Sequence, residues 1–208
     1  MTACRIFLLS PAHCGGKRAA ILLNEHATFP LAQRLRSAGL TLGEAFSFLS
    51  GLYFRGKLAY AGRFARPPAG QSGVQVITTD RGLVPADATV QASDLRDFST
   101  VDIAAKDPSY RLPLQRDISR LQQLPDADVV LLGSVASNKY VDVLLEVFGD
   151  RLLFPVEFVG RGDMSRGALL LRAAEAGQEL TYQPVAGAVR RGRRPPRLPP
   201  RRPARIDQ

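Results

Sequence analysis

Residues 128–133 read Asp-Val-Val-Leu-Leu-Gly, and this short apolar run decides the class of fold. Its length suits a β-strand that is buried on both faces, whereas a buried helix usually extends over about ten residues or more. Residues 4–9, Cys-Arg-Ile-Phe-Leu-Leu, form a second run of this kind, which ends at Ser10-Pro11. Strands covered on both faces occur mostly in parallel sheets with helices on each side, so the two runs predict an α/β domain.

Helical and strand patterns alternate along the rest of the chain. Residues 18–65 have the spacing of consecutive helices, and Thr41 with Glu44 three positions later has the pattern of a capping box. Further strands are predicted at 74–79, 152–159 and 180–185, and further helices at 114–124, 138–148 and 165–176. Residues 83–112 show neither pattern and are predicted to be irregular. The chain therefore predicts a three-layer α/β domain with a mainly parallel central sheet and a helical section after the first strand.

The positive charge is concentrated at the C-terminus. The 208 residues carry a formal charge of +9, and residues 190–208, with eight Arg, five Pro and one acid, hold +7 of it. Residues 1–189 are predicted to form one domain of nearly balanced charge, whereas the Arg- and Pro-rich tail is predicted to be disordered. Net charge alone therefore does not indicate that the whole chain binds nucleic acid through a basic surface. The tail either binds phosphate backbones or has no function.

Composition excludes several other classes of protein. The hydrophobic fraction of 45% is that of a globular chain, and no apolar run has the length of a membrane span. Two cysteines, Cys4 and Cys14, do not make a disulfide framework, so a cytoplasmic location is expected. With two histidines, His13 and His26, the chain lacks a repeated pair of metal ligands, and no metal site is predicted. The cofactor and the oligomeric state are left open.

Polar, glycine-rich segments follow four of the predicted strands. They cover residues 10–18, 80–82, 133–140 and 160–167. In open parallel sheets, ligands bind outside the carboxyl ends of the strands, and the loops that leave those ends share one rim of the sheet. The sequence therefore predicts a binding site where these four loops meet.

The loop after the first strand contains a candidate phosphate site. Gly15 and Gly16 permit a left-handed backbone whose N–H groups point at an anion, and Lys17 and Arg18 add positive charge at a helix start. The spacing matches neither the P-loop nor the dinucleotide-binding fingerprint. The alternative is a tight strand-to-helix turn with solvated cations. Cys14 is a candidate nucleophile, with an ordinary loop cysteine as the alternative.

The loop before the last predicted helix is the densest cluster of polar residues. Arg161 and Arg166 suit an anionic or polar planar ligand, because a guanidinium donates in a bidentate manner to phosphates and base edges. Asp163 is a candidate catalytic acid or base, or alternatively a partner that holds Arg161 and fixes the turn. Ser165 is the predicted N-cap of this helix, as Ser137 is of the preceding one.

Two further loops add candidates on the same rim. Asp80 is a second candidate catalytic carboxylate and Arg81 a candidate ligand-binding cation, although an Asp after a strand also stabilises turns. Ser134 and Lys139 are candidate ligand contacts, and Tyr140 is expected to face the same ligand. No G-x-S-x-G elbow is present, which argues against a serine hydrolase.

The helix predicted near residues 52–65 carries basic residues between aromatic ones. They are Arg55, Lys57 and Arg63, with Arg66 just beyond. A basic face with interleaved aromatic side chains suits a nucleic-acid backbone. The alternative is a solvated face above aromatic core residues.

Four short motifs resemble a known group of bacterial and archaeal α/β domains. They are residues 4–10, Leu52-Tyr-Phe-Arg-Gly-Lys-Leu-Ala-Tyr-Ala, Thr79-Asp-Arg-Gly-Leu-Val-Pro85, and Gly133-Ser with Lys139-Tyr140. The chain resembles YaaA-like proteins and the uracil-glycosylase-like domain of archaeosine synthase, mainly over residues 50–140. The resemblance implies a nucleic-acid or modified-base context. The water-activating glycosylase motif Gly-Gln-Asp-Pro-Tyr-His is absent from residues 10–18, so the resemblance implies no catalytic residues.

These patterns predict association with a nucleotide, a nucleobase or a nucleic acid, and base processing is the enzymatic form of that prediction. One alternative is non-catalytic binding of DNA or RNA through the basic tail. The other is a structural or interaction module.

Overall fold

Strands and helices alternate in the computed structural model, which describes residues 4–104, 106–124, 127–136, 138–196, 198 and 199. The strands are β1 (Cys4–Leu9), β2 (Leu40–Thr41), β3 (Val74–Ile77), β4 (Leu83–Pro85), β5 (Thr89–Val90), β6 (Ala127–Leu132), β7 (Leu152–Pro155) and β8 (Tyr182–Pro184). The α-helices are α1 (Lys17–Leu22), α2 (Pro30–Ser37), α3 (Leu42–Ser50), α4 (Leu52–Phe64), α5 (Ala92–Thr100), α6 (Pro108–Gln122), α7 (Asn138–Phe148) and α8 (Asp163–Ala176).

Six strands form one sheet in the order β4-β3-β1-β6-β7-β8. The four inner strands run parallel, and the edge strands β4 and β8 pair antiparallel with their neighbours. The β1–β6 pair is in register from Cys4 opposite Ala127 to Leu9 opposite Leu132. The predicted α/β domain with a mainly parallel sheet is therefore confirmed, while β2 and β5 form a separate antiparallel pair.

Helices bury both faces of the central strands. Successive residues of a strand point to opposite faces, and Leu8, Leu9, Val129 and Val130 are all fully buried. Helix α4 packs against α8, β1 and β3, whereas α6 packs against α7 and β4. The two short apolar runs form strands because each needs apolar neighbours on both sides.

Helix α3 begins where the sequence predicts. The Thr41 side chain accepts a hydrogen bond from the Glu44 N–H (3.2 Å), and the Glu44 carboxylate accepts one from the Thr41 N–H (3.1 Å). This reciprocal pair is the predicted capping box, and it satisfies two backbone donors that the helix itself leaves without partners.

Helix α4 buries one face that includes a lysine. Tyr53, Lys57, Tyr60 and Phe64 follow each other at intervals of four, three and four residues, and all four are buried. Lys57 is only 1% exposed, so the predicted basic face of this helix is wrong at Lys57, whereas Arg55 is exposed. The helical period places Lys57 among the core-facing aromatic residues.

The prediction that residues 83–112 are irregular is wrong, because this segment contains β4, β5, α5 and the start of α6. Pro108 occupies the first turn of α6, where a helix needs no N–H donor, and the Asp107 side chain caps it by accepting from the Ser109 N–H (2.9 Å). Pro113 lies further inside the same helix. Prolines that are typical of loops thus concealed the helix start.

The last elements differ from the predictions at their ends. β7 ends at Pro155 and continues as a 3₁₀ turn, so the predicted strand is too long. α8 begins at Asp163, with Gly162 as an N-cap that has no side chain. Ser165 is therefore not the N-cap, and its hydroxyl instead accepts a hydrogen bond from Arg161 (3.2 Å).

The described part of the tail has no helix or strand and lies against α8 and the segment before it. The Arg161 guanidinium donates to the Pro196 carbonyl (3.4 Å), and Arg172 on α8 donates to the Pro199 carbonyl. The first residues of the tail therefore contact the domain. The remainder of 190–208 lies outside the described residues.

Helices α4 and α8 approach each other closely at two glycines. A Cβ atom at Gly56 would lie 2.5 Å from the Gly167 carbonyl oxygen, and one at Gly167 would lie 2.7 Å from the Leu52 carbonyl oxygen. Backbone atoms cannot turn aside as a flexible side chain can, so the contact requires a residue without Cβ at both positions.

We expect Gly56→Ala to destabilise the protein by about 1–3 kcal/mol, because the added methyl group overlaps the backbone of α8. Gly62→Ala is the matched control, since it lies on the same helix and nothing lies within 4 Å of the Cβ it would add. It should stabilise the protein by up to about 1 kcal/mol through helix propensity. Urea denaturation measures both changes, and equal stabilities of the two variants would contradict the close contact.

Candidate functional site

The carboxyl ends of β1 and β6 form a topological switch point. The chain that leaves β1 leads to β3 on one side, and the chain that leaves β6 leads to β7 on the other. Ligands of open α/β sheets bind in the crevice at such a point. A cavity of about 330 Å³ opens here, which we call the switch-point cleft. Its polar and aromatic lining includes Ser10, His13, Tyr53, Lys139, Tyr140 and Asp163.

Three helices begin at the switch-point cleft. Tyr53 lies in the first turn of α4, Lys139 and Tyr140 lie in the first turn of α7, and Asp163 is the first residue of α8. The N–H groups at a helix N-terminus carry partial positive charge. Together with the Lys139 ammonium they favour an anion in the cleft, whereas the exposed Asp163 carboxylate offers an acceptor for N–H donors.

Close packing between the two strand ends shapes the wall of the cleft. A Cβ atom at Gly133 would lie 2.8 Å from the Tyr140 hydroxyl oxygen and 3.0 Å from the Ser10 Cβ. The Tyr140 hydroxyl accepts a hydrogen bond from the Ser134 N–H (2.7 Å) and donates to the Ser134 carbonyl (3.2 Å). The loop after β6 is therefore tied to α7, which holds the Tyr140 ring at the cleft.

Lys57 lies directly behind this wall. Its Nζ donates to the Ser10 carbonyl (2.5 Å) and to the Ser10 Oγ (3.0 Å), and it lies 4.6 Å from the centres of both the Tyr53 and Phe54 rings. Burial lowers the pKa of Lys57 to about 7, and the negative charge of Asp163 opposes that shift. The Lys57 ammonium, whose pKa is close to neutral, thus lies directly behind two lining residues of the cleft, Ser10 and Tyr53.

Arg166 forms a second buried cation near the cleft. Its Nε and Nη2 both donate to the Phe158 carbonyl (3.2 Å each), and its Nη1 lies 3.6 Å from the Asp163 carboxylate. Burial raises the pKa of Tyr53, while the charge of Arg166 opposes the rise. The Tyr53 hydroxyl is buried, and a hydrogen-bonding interaction with Arg166 also opposes that rise.

The structure brings four of the residues that were expected to contact a ligand into the cleft: Ser134, Lys139, Tyr140 and Asp163. In the alternative role, as the partner of an arginine at this turn, Asp163 lies beside Arg166 instead of Arg161. Arg166 is buried beneath the cleft instead of exposed to a ligand, and Arg161 is bonded to the Glu157 carbonyl (3.0 Å) on the side that faces the tail.

The first loop does not form the expected phosphate cradle. Neither Gly15 nor Gly16 has a positive φ, and Gly16 is extended (φ −90°, ψ 175°). Helix α1, which Lys17 begins, has only six residues, and Lys17 is exposed outside the cleft lining. Arg18 donates to the Phe48 carbonyl at the end of α3 (3.0 Å). The left-handed backbone that the pair of glycines permits is therefore not used.

Asp80 and Arg81 lie on the rim but do not line the cleft. Arg81 forms ion pairs with Asp94 (2.7 Å) and Asp97 (3.0 Å), so its charge is neutralised within the fold. Burial raises the pKa of Asp80, although Arg81 opposes this.

Burial also raises the pKa of Cys14 to about 12, which keeps the thiol protonated at neutral pH and argues against a nucleophile. The predicted N-cap Ser137 lies outside the described residues.

A larger groove adjoins the switch-point cleft at Ser50, which lines both. It has a volume of about 920 Å³, its lining is mostly apolar, and it includes the exposed Arg18 and Arg55. We call it the arginine groove. Met164, the neighbour of Asp163, lines this groove and also the space between α8 and the tail. The cleft, the arginine groove and the tail therefore follow one another across the surface.

Sequence reasoning placed the loop 10–18 at the site without naming Ser10 or His13 as ligand contacts, and it missed Tyr53 and Ile103 in the lining and the burial of Lys57 behind them. One signal was available for two of these. Tyr53 and Lys57 are four residues apart on the buried face of α4, in phase with Tyr60, which marks a lysine that must be buried. Ile103 gave no signal, because it follows a helix that the sequence pattern did not reveal.

The described residues contain neither a helix long and apolar enough to cross a membrane nor a group of three or more His, Cys, Asp or Glu placed to hold a metal ion. Comparison of the chain with protein-family models, with curated proteins and with solved structures finds no match.

Proposed function

We propose that the switch-point cleft binds a nucleotide or a nucleobase. The observation that carries this proposal is the convergence of Lys139, Asp163 and two aromatic residues, Tyr53 and Tyr140, at the starts of three helices. The YaaA-like resemblance points to the same class of ligand. A volume of about 330 Å³ lies at the lower end of the range for ligand pockets, about 300–1,000 Å³, which suits a small ligand.

Each part of such a ligand has a complementary group in the cleft. Lys139 and the helix N-termini favour a phosphate, since both present positive charge to it. Asp163 accepts hydrogen bonds from the amino or imino groups of a base. If the protein processes the base, Asp163 and His13 are the lining side chains suited to proton transfer, and Asp80, outside the lining, serves the fold.

A second candidate function is the binding of a nucleic-acid strand along the arginine groove. The groove begins at the cleft, contains Arg18 and Arg55, and reaches the tail at Met164. The tail region, residues 190–208, carries eight Arg. Apolar surface with interspersed guanidinium groups suits unstacked bases and their phosphates.

We expect Lys139→Ala to weaken binding of a nucleoside monophosphate about tenfold, because a charge-assisted contact to phosphate is worth about 1.5–3 kcal/mol. Lys17→Ala is the matched control, since Lys17 is exposed but does not line the cleft. Its affinity should stay within about twofold of the wild type. Isothermal titration calorimetry measures both variants, and the reverse ranking would move the phosphate site to the first loop.

Asp163→Asn should change the order of affinities for nucleoside monophosphates that differ only in the base. An Asn side chain donates as well as accepts, so bases with different edges respond differently to it. Asp80→Asn should keep the wild-type order, because Asp80 lies outside the cleft lining. The same base order in wild type and Asp163→Asn would contradict a contact between Asp163 and the base.

For the strand-binding function, Arg55→Ala should weaken binding of a single-stranded oligonucleotide and reduce the salt slope by about 0.7, the value for one lost phosphate contact. Arg63→Ala on the same helix is the control, since Arg63 does not line the groove. Deletion of residues 190–208 should flatten the slope further. Mononucleotide affinity should stay unchanged in all three proteins; an unchanged oligonucleotide slope in both Arg55→Ala and the deletion would exclude this function.

A further inference from the structure

Lys57 is a costly residue in the place that it occupies. It is 1% exposed, and among the described residues its Nζ donates hydrogen bonds to Ser10 alone. A buried ammonium without a bonded carboxylate loses its hydration without full compensation. Leu or Met would fill the same position among Tyr53 and Tyr60 without that loss. The packing of α4 therefore does not explain why a lysine is present.

The contacts of Lys57 connect it to the cleft from behind. Ser10, to which it donates, and Tyr53, whose ring it contacts, both line the cleft. Because Nζ donates to the Ser10 Oγ, the hydroxyl proton of Ser10 must point away from Lys57. The Ser10 hydroxyl also hydrogen-bonds to Tyr140, another residue of the cleft wall, and this opposes the rise in the pKa of Tyr140 that burial causes.

We propose that Lys57 is a positioning residue of the switch-point cleft, whose ammonium fixes Ser10 in the cleft wall and supplies a positive charge that an anionic ligand compensates. This proposal rests on the proposed nucleotide-binding function and adds a residue that acts on the ligand through the lining of the cleft. An anion in the cleft favours the charged form of Lys57, so ligand binding takes up a proton when the pH is above about 7.

Other charged and titratable groups surround Lys57, and the experiment must distinguish their contributions to proton uptake from that of Lys57. Asp163 and Arg166 face this region from α8, Tyr140 from α7, Tyr53 from α4, and His13 lies in the loop after β1. Asp163 and Arg166 are held 3.6 Å apart. His13 is the imidazole in the lining of the same cleft, so its removal is part of the test.

The probe is a dinucleotide whose single phosphodiester does not titrate between pH 6 and 9. Calorimetry at pH 8 in two buffers of different ionisation enthalpy measures the protons taken up per ligand. We expect uptake of a fraction of one proton by the wild type and by His13→Ala, and none by Lys57→Met. Lys57→Met should also bind about tenfold more weakly at pH 6. Lys57→Arg, which stays charged, should retain the affinity without proton uptake.

Urea denaturation shows whether each variant folds and whether burial lowers the pKa of Lys57 in the folded protein. The folded-state pKa of Lys57, about 7, lies below its ordinary value of 10.5. The unfolded chain therefore binds more protons between these values, and the unfolding equilibrium constant of the wild type should fall with rising pH, by at most about tenfold per pH unit. Lys57→Met should lack this component, whereas Lys17→Met, a change at an exposed lysine, should keep it.

The outcomes separate the two proposals. If the wild type binds the dinucleotide and Lys57→Met or Lys57→Arg takes up protons as the wild type does, the role of Lys57 is overturned and the proposed function stands. If wild type binds neither the dinucleotide nor a nucleoside monophosphate, both proposals are overturned. Loss of proton uptake in both Lys57 variants, with affinity kept in Lys57→Arg, supports both.

Discussion

The parallel pairing of β1 with β6 is the interaction on which the rest of the structure depends. Its register, with Leu9 opposite Leu132, places Ser10 and Gly133 next to each other at the same edge of the sheet. Because the chain turns to opposite sides after these two strands, the space between their ends is a topological switch point, where open α/β sheets have a crevice. The cleft is thus a consequence of strand order, and its lining residues come from the loops and helices that begin there.

The glycine contact between α4 and α8 is the second constraint, because it brings the other half of the cleft into place. The absence of side chains at Gly56 and Gly167 lets the two backbones touch, so the first turns of the two helices lie close together. Tyr53 and Lys57 come from one of these helices, and Asp163 and Arg166 from the other. A buried cation and an exposed carboxylate consequently act on one another across a helix contact that requires glycine.

The sequence predicts those parts of the fold that local patterns determine. The apolar runs of β1 and β6 are buried on both faces, and the capping box at Thr41 starts a helix as expected. Tertiary contacts decide the rest. Arg81 forms ion pairs with Asp94 and Asp97 of α5, a helix that the sequence pattern did not reveal, and Lys57 lies in the core because the helical period of α4 places it there. A residue type thus predicts which chemistry is available, whereas burial and partners decide whether a ligand can reach it.

The positive charges of the chain also differ in whether they are exposed or buried. The tail holds most of the net positive charge, and exposed arginines attract any polyanion in a manner that salt weakens. Lys57 contributes little to net charge, but salt screens a buried charge far less, and its neighbours fix its position. Selectivity for one ligand requires donors and acceptors of fixed geometry, and a buried polar group left without its partner penalises the wrong ligand. Ser10 in the cleft wall and Lys57 behind it are such groups, so under the proposed function discrimination among ligands comes from the cleft and general attraction to nucleic acid from the tail.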